Sequence, residues 1–383
     1  MSMIDYMVEF DEDTRAIVDL TRKLVHKHQM PLEARKLQGG EITPQDLLPG
    51  TRAAREVGLW GLTLPEHLGG ARLTVTQQLA VTEESYQCLV PLQFGGRVPP
   101  FLFNATGVQK ERYLDPCLED RLRYAFAQTE PSGGADPGNA IQTKAVRRGD
   151  KWVINGTKVF ISSVGPAEVI FVVAVTDQEK RQHGGISMFA VDKSNPGLKV
   201  SRDIQTLDGM ITNELIFDNC EVTEDALIGA SGEGFRNAQI ILSQARFGVG
   251  ARALGIAMRT LDMMTEYAKQ RVAFGSALSQ KQAIQAMVVD SWIDINQCRL
   301  MMYAAARKAD AGHDTRVEAS LIKMQATEVV GRVLDRGVQV FGAAGVSLDN
   351  PIAHWYRSQR PARIYEGPTE VHKYHVLARH LFR

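Results

Sequence analysis

The chain has 383 residues, more than one hydrophobic core ordinarily serves, so two or three packed units are expected. It is 44% hydrophobic and 23% charged, and its 44 basic residues balance 44 acidic ones. That balance excludes an electrostatic case for nucleic acid or an anionic membrane as the main partner. A local basic pocket for a phosphorylated ligand stays open, because net charge says nothing about patches. Cys88, Cys117, Cys220 and Cys298 lie far apart without a Cys-x-x-Cys pair. They read as reduced, mostly buried thiols, neither a disulfide frame nor a zinc site. The N-terminus is acidic and lacks the basic and apolar regions of a signal peptide. No apolar run approaches the roughly 18 to 20 residues that span a bilayer. The expectation is a soluble cytoplasmic protein, or one of the mitochondrial matrix if eukaryotic and processed.

In chain order, apolar residues at helical spacing (Ile17, Leu20, Leu24, Val25) behind an acidic start predict a helix over 13–28. Further helices are expected over 44–57, closing at Gly58, and over 74–89, with a turn at 64–70 between them. Residues 109–118 read as a short helical piece interrupted at Pro116. The middle is β-rich. Residues 151–162 read as two β-type runs around Asn155-Gly156, a hairpin signal. Val169 to Val175 suits a buried strand, and residues 186–191, 198–200 and 214–217 continue the pattern. From Gly234 the pattern is helical: amphipathic segments over 236–270, 279–311 and 315–341, with breaks at Gly275 and Gly312 and a last helix after Pro368. Long antiparallel helices with short connections suggest a bundle. The expected domains are 1–123, 124–233 and 234–383.

Several segments could carry chemistry. Gly229-Ala-Ser-Gly-Glu-Gly234 has closely spaced glycines but no βαβ context, so a loop entering a helix is the better reading than a dinucleotide loop. His372, His375 and His380 do not share one helical face and lack an acidic or cysteine cluster, so no metal site is expected. No Gly-x-Ser-x-Gly elbow or P-loop occurs. Thr129-Glu-Pro-Ser-Gly-Gly-Ala-Asp136 offers backbone N–H groups and glycines to a ligand, or is simply a boundary turn. Ile364-Tyr-Glu-Gly-Pro-Thr-Glu370 sets a carboxylate between an aromatic residue and a glycine just before a helix. A glutamate there can lie against an apolar wall, which raises its pKa towards that of a useful base; a capping or surface role is the plainer alternative.

Taken together, residues 124–136, Asn155-Gly156, Arg271-Val-Ala-Phe-Gly275, Gln339-Val-Phe-Gly342 and Tyr365-Glu-Gly367 occur in the order and approximate spacing of the acyl-CoA dehydrogenase family. The chain resembles that family from Leu64 to Arg379. The resemblance implies an α+β multidomain fold: an N-terminal α-helical domain, a middle β-barrel domain and a C-terminal four-helix bundle. It implies FAD bound between the β domain and the bundle, and a homotetramer built as a dimer of dimers. By the same resemblance Phe126, Gln128 and Thr129 line the flavin with Gly134 and Ala135 beside it. Ala135 stands where the family often has Ser. Phe160 stands where many members have Trp, and Ser162 where many have Thr. Arg271, Phe274 and Gln282 would reach the FAD of a neighbouring subunit, with Gln339 and Gly342 near its adenosine portion and Thr369 also on the cofactor. Ala135, Ser243, Arg246, Tyr365 and Gly367 would meet the substrate. Glu366 matches the base of the larger group in the family; the alternative base position is Ala245 here, which cannot act as one. The common Glu-Gly-Thr is replaced by Glu366-Gly367-Pro368, a branch whose substrates are often unusual or long.

The implied reaction is α,β-dehydrogenation of an acyl-CoA to the trans-2-enoyl-CoA, with Glu366 taking the α-proton and flavin N5 the β-hydride. An electron-transfer flavoprotein is the implied acceptor. Competing readings on the same fold are an acyl-CoA oxidase, a nitroalkane oxidase or a flavin monooxygenase, and, from another class, a catalytically silent paralogue.

Overall fold

The computed structural model describes residues 7–382, apart from the side chains of residues 242–244. The chain forms two compact units: one joins residues up to Gly95 with those from Ser243 onward, and the other is Gly96–Leu242.

In the helical unit, α1 (Glu12–Leu24) begins at Asp11, whose carboxylate accepts the Thr14 N–H at 2.7 Å. It continues through a π-type turn (Val25–Gln29) into α2 (Met30–Leu37). Pro31 does not stop the helix because it sits in the first turn of α2, where its missing N–H is not needed. Helix α3 (Pro44–Glu56) opens on a capping box of Thr43 and Asp46. Helix α4 (Val75–Ser85) is capped by Thr74 and Gln77. It ends short of the expected residue 89, because the Leu89 N–H leaves the helical ladder to donate to the buried Glu33 carboxylate at 2.6 Å. The long helices follow: α5 (Gly234–Gln270), whose first turns belong to the other unit, α6 (Gln282–Asp310) and α7 (Arg316–Phe341). Then come α8 (Pro351–Gln359), a π-type turn (Val371–Leu377) and the short α9 (Ala378–Leu381). Leu254, Leu261, Ile295, Ile322, Val329 and Val333 meet in one core between them.

One polar cluster sits inside that core. Glu83 of α4 takes a bidentate pair from Arg299 of α6, at 2.8 and 2.9 Å, and the Tyr303 hydroxyl at 2.8 Å. All three side chains are buried. Their satisfaction is reciprocal, so each partner depends on the others staying in place.

The second unit holds a curled seven-stranded sheet: β1 (Tyr124–Ala127), β2 (Lys144–Arg148), β3 (Lys151–Ser162), β4 (Val169–Val175), β5 (Ile186–Asp192), β6 (Leu198–Gln205) and β7 (Ile211–Thr223). The order is β1-β4-β2-β3-β7-β6, with β5 also on β4. Strands β4 and β5 are buried along nearly their whole length, as their unbroken apolar runs dictate. Edge strand β6 is charged and mostly exposed, which protects it from pairing with another chain. Residues 107–118 form a continuous helical passage, since Pro116 falls in a first turn and interrupts nothing.

Asn155-Gly156 is not a hairpin. Strand β3 runs straight through it, and the reversal between β2 and β3 lies at Gly149, whose φ is +65°. The Asn155 side chain instead accepts the N–H of Asn219 at 2.8 Å, where β7 carries an extra residue. Gly156 lets the backbone pass against Thr143, where a Cβ would clash.

Glu83→Ala is expected to cost about 3–5 kcal/mol, since it strands the Arg299 charge in the core. Urea unfolding measures this, and a midpoint equal to that of the unaltered protein would show the cluster to be solvated.

Candidate active site

The site is built on the turn before the last helical segment. The Tyr365 N–H closes onto the Pro361 carbonyl at 3.2 Å, and the chain then enters left-handed backbone at Glu366 (φ +57°) and Gly367 (φ +96°). For a glutamate this conformation is strained by about 1–2 kcal/mol, so the surroundings must hold it. At Gly367 a side chain is excluded: a Cβ would lie 2.9 Å from Nε2 of His372.

Two consecutive carbonyls of this turn are gripped by donors from three places in the chain. The Glu366 carbonyl accepts from Arg246 Nε of α5 at 3.4 Å, and His372 Nε2 lies 3.2 Å from it. The Gly367 carbonyl accepts from Lys323 Nζ of α7 at 2.6 Å. Lys323 and His372 are wholly buried. Burial brings the Lys323 ammonium down to about 8, against the pull of the nearby Glu366 charge. His372 is brought down to about 4, by burial first and then by Arg246 and Lys323, so it is neutral at pH 7. With Nε2 donating to Glu366, its Nδ1 is the unprotonated nitrogen; Nδ1 is buried without a partner among the described residues.

The Glu366 carboxyl has Oε2 buried and unpartnered among the described residues. Burial raises its pKa, and the charges of Arg252, Arg246 and Lys323 draw it back only in part. A carboxylate with raised basicity and one buried oxygen free of hydrogen bonds among the described residues can take a proton from a group placed beside it. Nearby, the Arg252 guanidinium lies 5.7 Å from the centroid of the Tyr86 ring, and its Nε donates to the Gly248 carbonyl at 3.3 Å. Phe247 and Gly248, directly after Arg246, line a cavity of about 490 Å³ together with Thr63, Gln78, Thr82 and Arg316.

The other expected site residues each lie within one of the two units. Tyr365 and Gly367 flank Glu366, and Arg246 touches it. Arg271 directly follows α5, Phe274 tips a short hairpin (Val272–Ala273 paired with Ser276–Ala277), Gln282 opens α6, Gln339 lies in the last turn of α7 and Gly342 caps it. All five are exposed, Phe274 to 98%. Thr369 Oγ1 donates to Glu328 at 3.1 Å, and Glu328 also holds Arg363 at 3.2 Å. The side chain of Ser243 lies outside the described residues.

In the sheet unit, Phe126 lies on β1 and Gln128 and Thr129 follow it, while Gly134 and Ala135 are exposed in the next loop and Ser162 ends β3. Phe160 sits in a bulge of β3 with φ +56°, its ring 57% exposed between buried Val159 and Ile161. The loop start is anchored by Lys158, whose buried Nζ donates to the Gln128 carbonyl at 3.0 Å and to Glu130 at 2.8 Å. Burial takes that ammonium down to about 8 despite Glu130. Burial pushes Glu130 up, but Lys158 and the N–H groups of Gln142 and Thr143 outweigh it and hold the carboxyl below its usual range. The Gln128 Oε1 is buried without a partner among the described residues.

Lys323, Arg252 and the role of His372 are absent from the sequence-based expectation. A signal for Lys323 exists: it lies on the apolar stripe of α7 with Ala319, Ile322, Ala326 and Val330, where a lysine needs a reason.

Family models for the N-terminal, middle and C-terminal domains of acyl-CoA dehydrogenase match residues 11–121, 125–220 and 232–381. The chain is 33% identical over 381 residues to (R)-benzylsuccinyl-CoA dehydrogenase of Thauera aromatica, covering 94% of each chain. It is 31% identical to human mitochondrial short-chain specific acyl-CoA dehydrogenase, over 98% of this chain and 92% of the relative. The structure of butyryl-CoA dehydrogenase from Megasphaera elsdenii aligns with a TM-score of 0.85 at 29% identity, over 98% of this chain and 100% of that one.

His372 makes a pH prediction. Its pKa is lower folded than unfolded, so between about 6.5 and about 4 the unfolded chain binds more protons, and acidification through that window destabilises the fold. Glu366, with a raised pKa, works in the opposite direction as the pH falls. The difference between the unaltered protein and His372→Gln isolates the histidine: the variant should lose up to about 3 kcal/mol less, at about 1.4 kcal/mol per pKa unit. Parallel stability curves across that window would contradict a buried neutral imidazole.

Proposed function

The chain belongs to the acyl-CoA dehydrogenase family, and from that premise we propose that it removes the α and β hydrogens of an acyl-CoA thioester, with Glu366 as the base for the α-proton. FAD, the cofactor of this family, supplies when bound the acceptor for the two electrons that leave with the β-hydrogen. The observation that carries the reading is the Glu366 carboxyl: Oε2 buried, without a hydrogen-bond partner among the described residues, and raised in pKa beside three cations. Such a group is poor at holding charge in isolation and good at taking a proton, which an α-carbon beside a thioester yields only to a positioned base.

The chain's residues fit the cofactor. The exposed ring of Phe160 offers a face to stack on, and the unpartnered Gln128 Oε1 is a buried acceptor that a bound ring system can satisfy. With Phe126, Thr129, Gly134, Ala135 and Ser162, these residues would hold the flavin. Arg271, Phe274, Gln282, Gln339 and Gly342 are all exposed on a single chain, which supports their serving the FAD of a second copy, in a tetramer of paired dimers. An arginine suits the pyrophosphate because its planar fork donates two hydrogen bonds. Thr369 is the weaker cofactor candidate, because its hydroxyl is already given to Glu328.

For the substrate, Tyr365 and Gly367 flank the base, and the thioester oxygen would be met by the Glu366 N–H, a donor that strengthens as enolate charge develops. The cavity beside Phe247 and Gly248 is of the size that takes part of a CoA-linked acyl group. Ser243 and Ala135 complete the proposed substrate set. An electron-transfer flavoprotein is the proposed acceptor.

The test is an anaerobic screen of acyl-CoAs against the FAD-loaded protein, followed by the best substrate on Glu366→Gln. That variant should keep FAD and bind acyl-CoA while flavin bleaching slows at least about 10²- to 10⁴-fold. Bleaching at the unaltered rate removes Glu366 as the base. Arg271→Ala should weaken FAD retention by about 1.5–3 kcal/mol, read from the flavin absorbance left after dialysis; full retention would make Arg271 a surface residue only.

A further inference from the structure

We propose that Lys323 is a positioning residue for the base: its ammonium, docked on the Gly367 carbonyl oxygen, holds the left-handed turn that aims the Glu366 carboxylate. The proposal rests on the reading of Glu366 as the base and extends it to a residue on another helix.

Lys323 is 0% exposed on α7, within the stripe of Ala319, Ile322, Ala326 and Val330 that faces the core. A lysine is almost never fully buried without a specific partner, and an apolar side chain there would cost no desolvation. Its presence therefore points to the contact its ammonium makes. Nζ meets the Gly367 oxygen at 2.6 Å, next to the residue whose φ of +57° a glutamate does not adopt unaided. Arg246 and His372 hold the preceding carbonyl, so Lys323 fixes the second of two successive peptide planes. The first of these planes begins at the Glu366 Cα, so fixing both restrains the backbone on the C-terminal side of Glu366 and with it the direction in which its side chain leaves the turn.

The groups facing Glu366 are Arg246 and Arg252 from α5 and Lys323 from α7. Those facing Lys323 are Glu366, Arg246, Glu328 and Glu370. Arg252 is flanked by Tyr86 and Tyr365, and His372 by Arg246 and Lys323. A positive charge on Lys323 partly offsets the burial that raises the Glu366 carboxyl. Its removal leaves that carboxyl protonated to higher pH, so the acid limb of flavin reduction moves up in pH.

The experiment uses the FAD-loaded protein and the best acyl-CoA of the screen, with single-turnover bleaching followed against pH. Lys323→Met keeps the stem and deletes both charge and donor; Lys323→Gln keeps a donor and deletes the charge. With FAD content and acyl-CoA affinity unchanged, Lys323→Met should bleach about 10- to 100-fold more slowly, as a small misplacement of a reacting group does. Its acid limb should move to higher pH. Lys323→Gln should recover part of the rate and keep the displaced limb. Combined with Glu366→Gln, Lys323→Met should cost nothing further, because it acts through the base. An unchanged rate and limb in Lys323→Met overturns the proposal. So does loss of FAD or of folded protein in both variants, which would make Lys323 structural. If the unaltered protein bleaches with no acyl-CoA, the functional reading falls first and this one with it; bleaching there, with no effect of Lys323→Met, sinks the lysine alone.

Discussion

A carboxylate taken partly out of water loses hydration that stabilises its charge, and its basicity rises. At Glu366 that loss falls on a residue whose backbone is also left-handed. The turn has too few residues of its own to stabilise this. What holds it comes from α5 through Arg246, from α7 through Lys323, and from the terminal segment through His372. The long helices thus act as a frame for one turn. Clusters such as Glu83 with Arg299 and Tyr303, or Asp294 with Arg332 and Arg336, fix the frame itself. Arg246 and Lys323 spend hydrogen bonds on the backbone and place their charge beside the carboxyl, so orientation and electrostatics are linked through the same two side chains.

The sheet unit solves a related problem by similar means. Lys158 is as fully buried as Lys323, and its ammonium likewise lands on a backbone carbonyl, that of Gln128. There the second partner is a carboxylate, Glu130, which in turn caps the N–H groups of Gln142 and Thr143. The ion pair fixes the start of the loop that carries Gly134 and Ala135. The difference lies in the carboxylate. Glu130 is saturated with donors and held below its usual range, whereas Glu366 has a bare oxygen and is raised. Two buried Glu–Lys neighbourhoods thus have opposite outcomes, set by how many hydrogen bonds the carboxylate receives. One is suited to structure and the other to proton transfer.

Much of this was legible in the chain. Val169 to Val175 declares a buried strand because β-branched residues without alternation fit only a strand covered on both faces. The long helices declare themselves by period. Asn155-Gly156 misleads because the dipeptide is read through its backbone preference, while the fold uses the Asn side chain to cap a bulge in β7 and the missing Cβ to clear Thr143. Helix α4 overruns in the sequence reading because its true end is set by Glu33, a residue distant in sequence that captures the Leu89 N–H. The site divides the same way. Glu366 stands out locally, between an aromatic residue and a glycine. Its supports do not, since Lys323 lies far back along the chain and its partner is a carbonyl, which every residue carries.

The position of Ala245 sharpens the picture. It sits on regular helix beside Arg246, and it is half-buried. A carboxylate there would need no left-handed backbone, but neighbouring residues on a helix do not face each other, so it would not share the direction in which Arg246 reaches the Glu366 carbonyl. Arg246 therefore donates to the turn from its own face of the helix, and the alanine before it brings no charge of its own. A carboxylate on a strained turn needs support that the turn itself does not contain, and the neighbouring helix supplies it through the Arg246 donor, whichever role the carboxylate has.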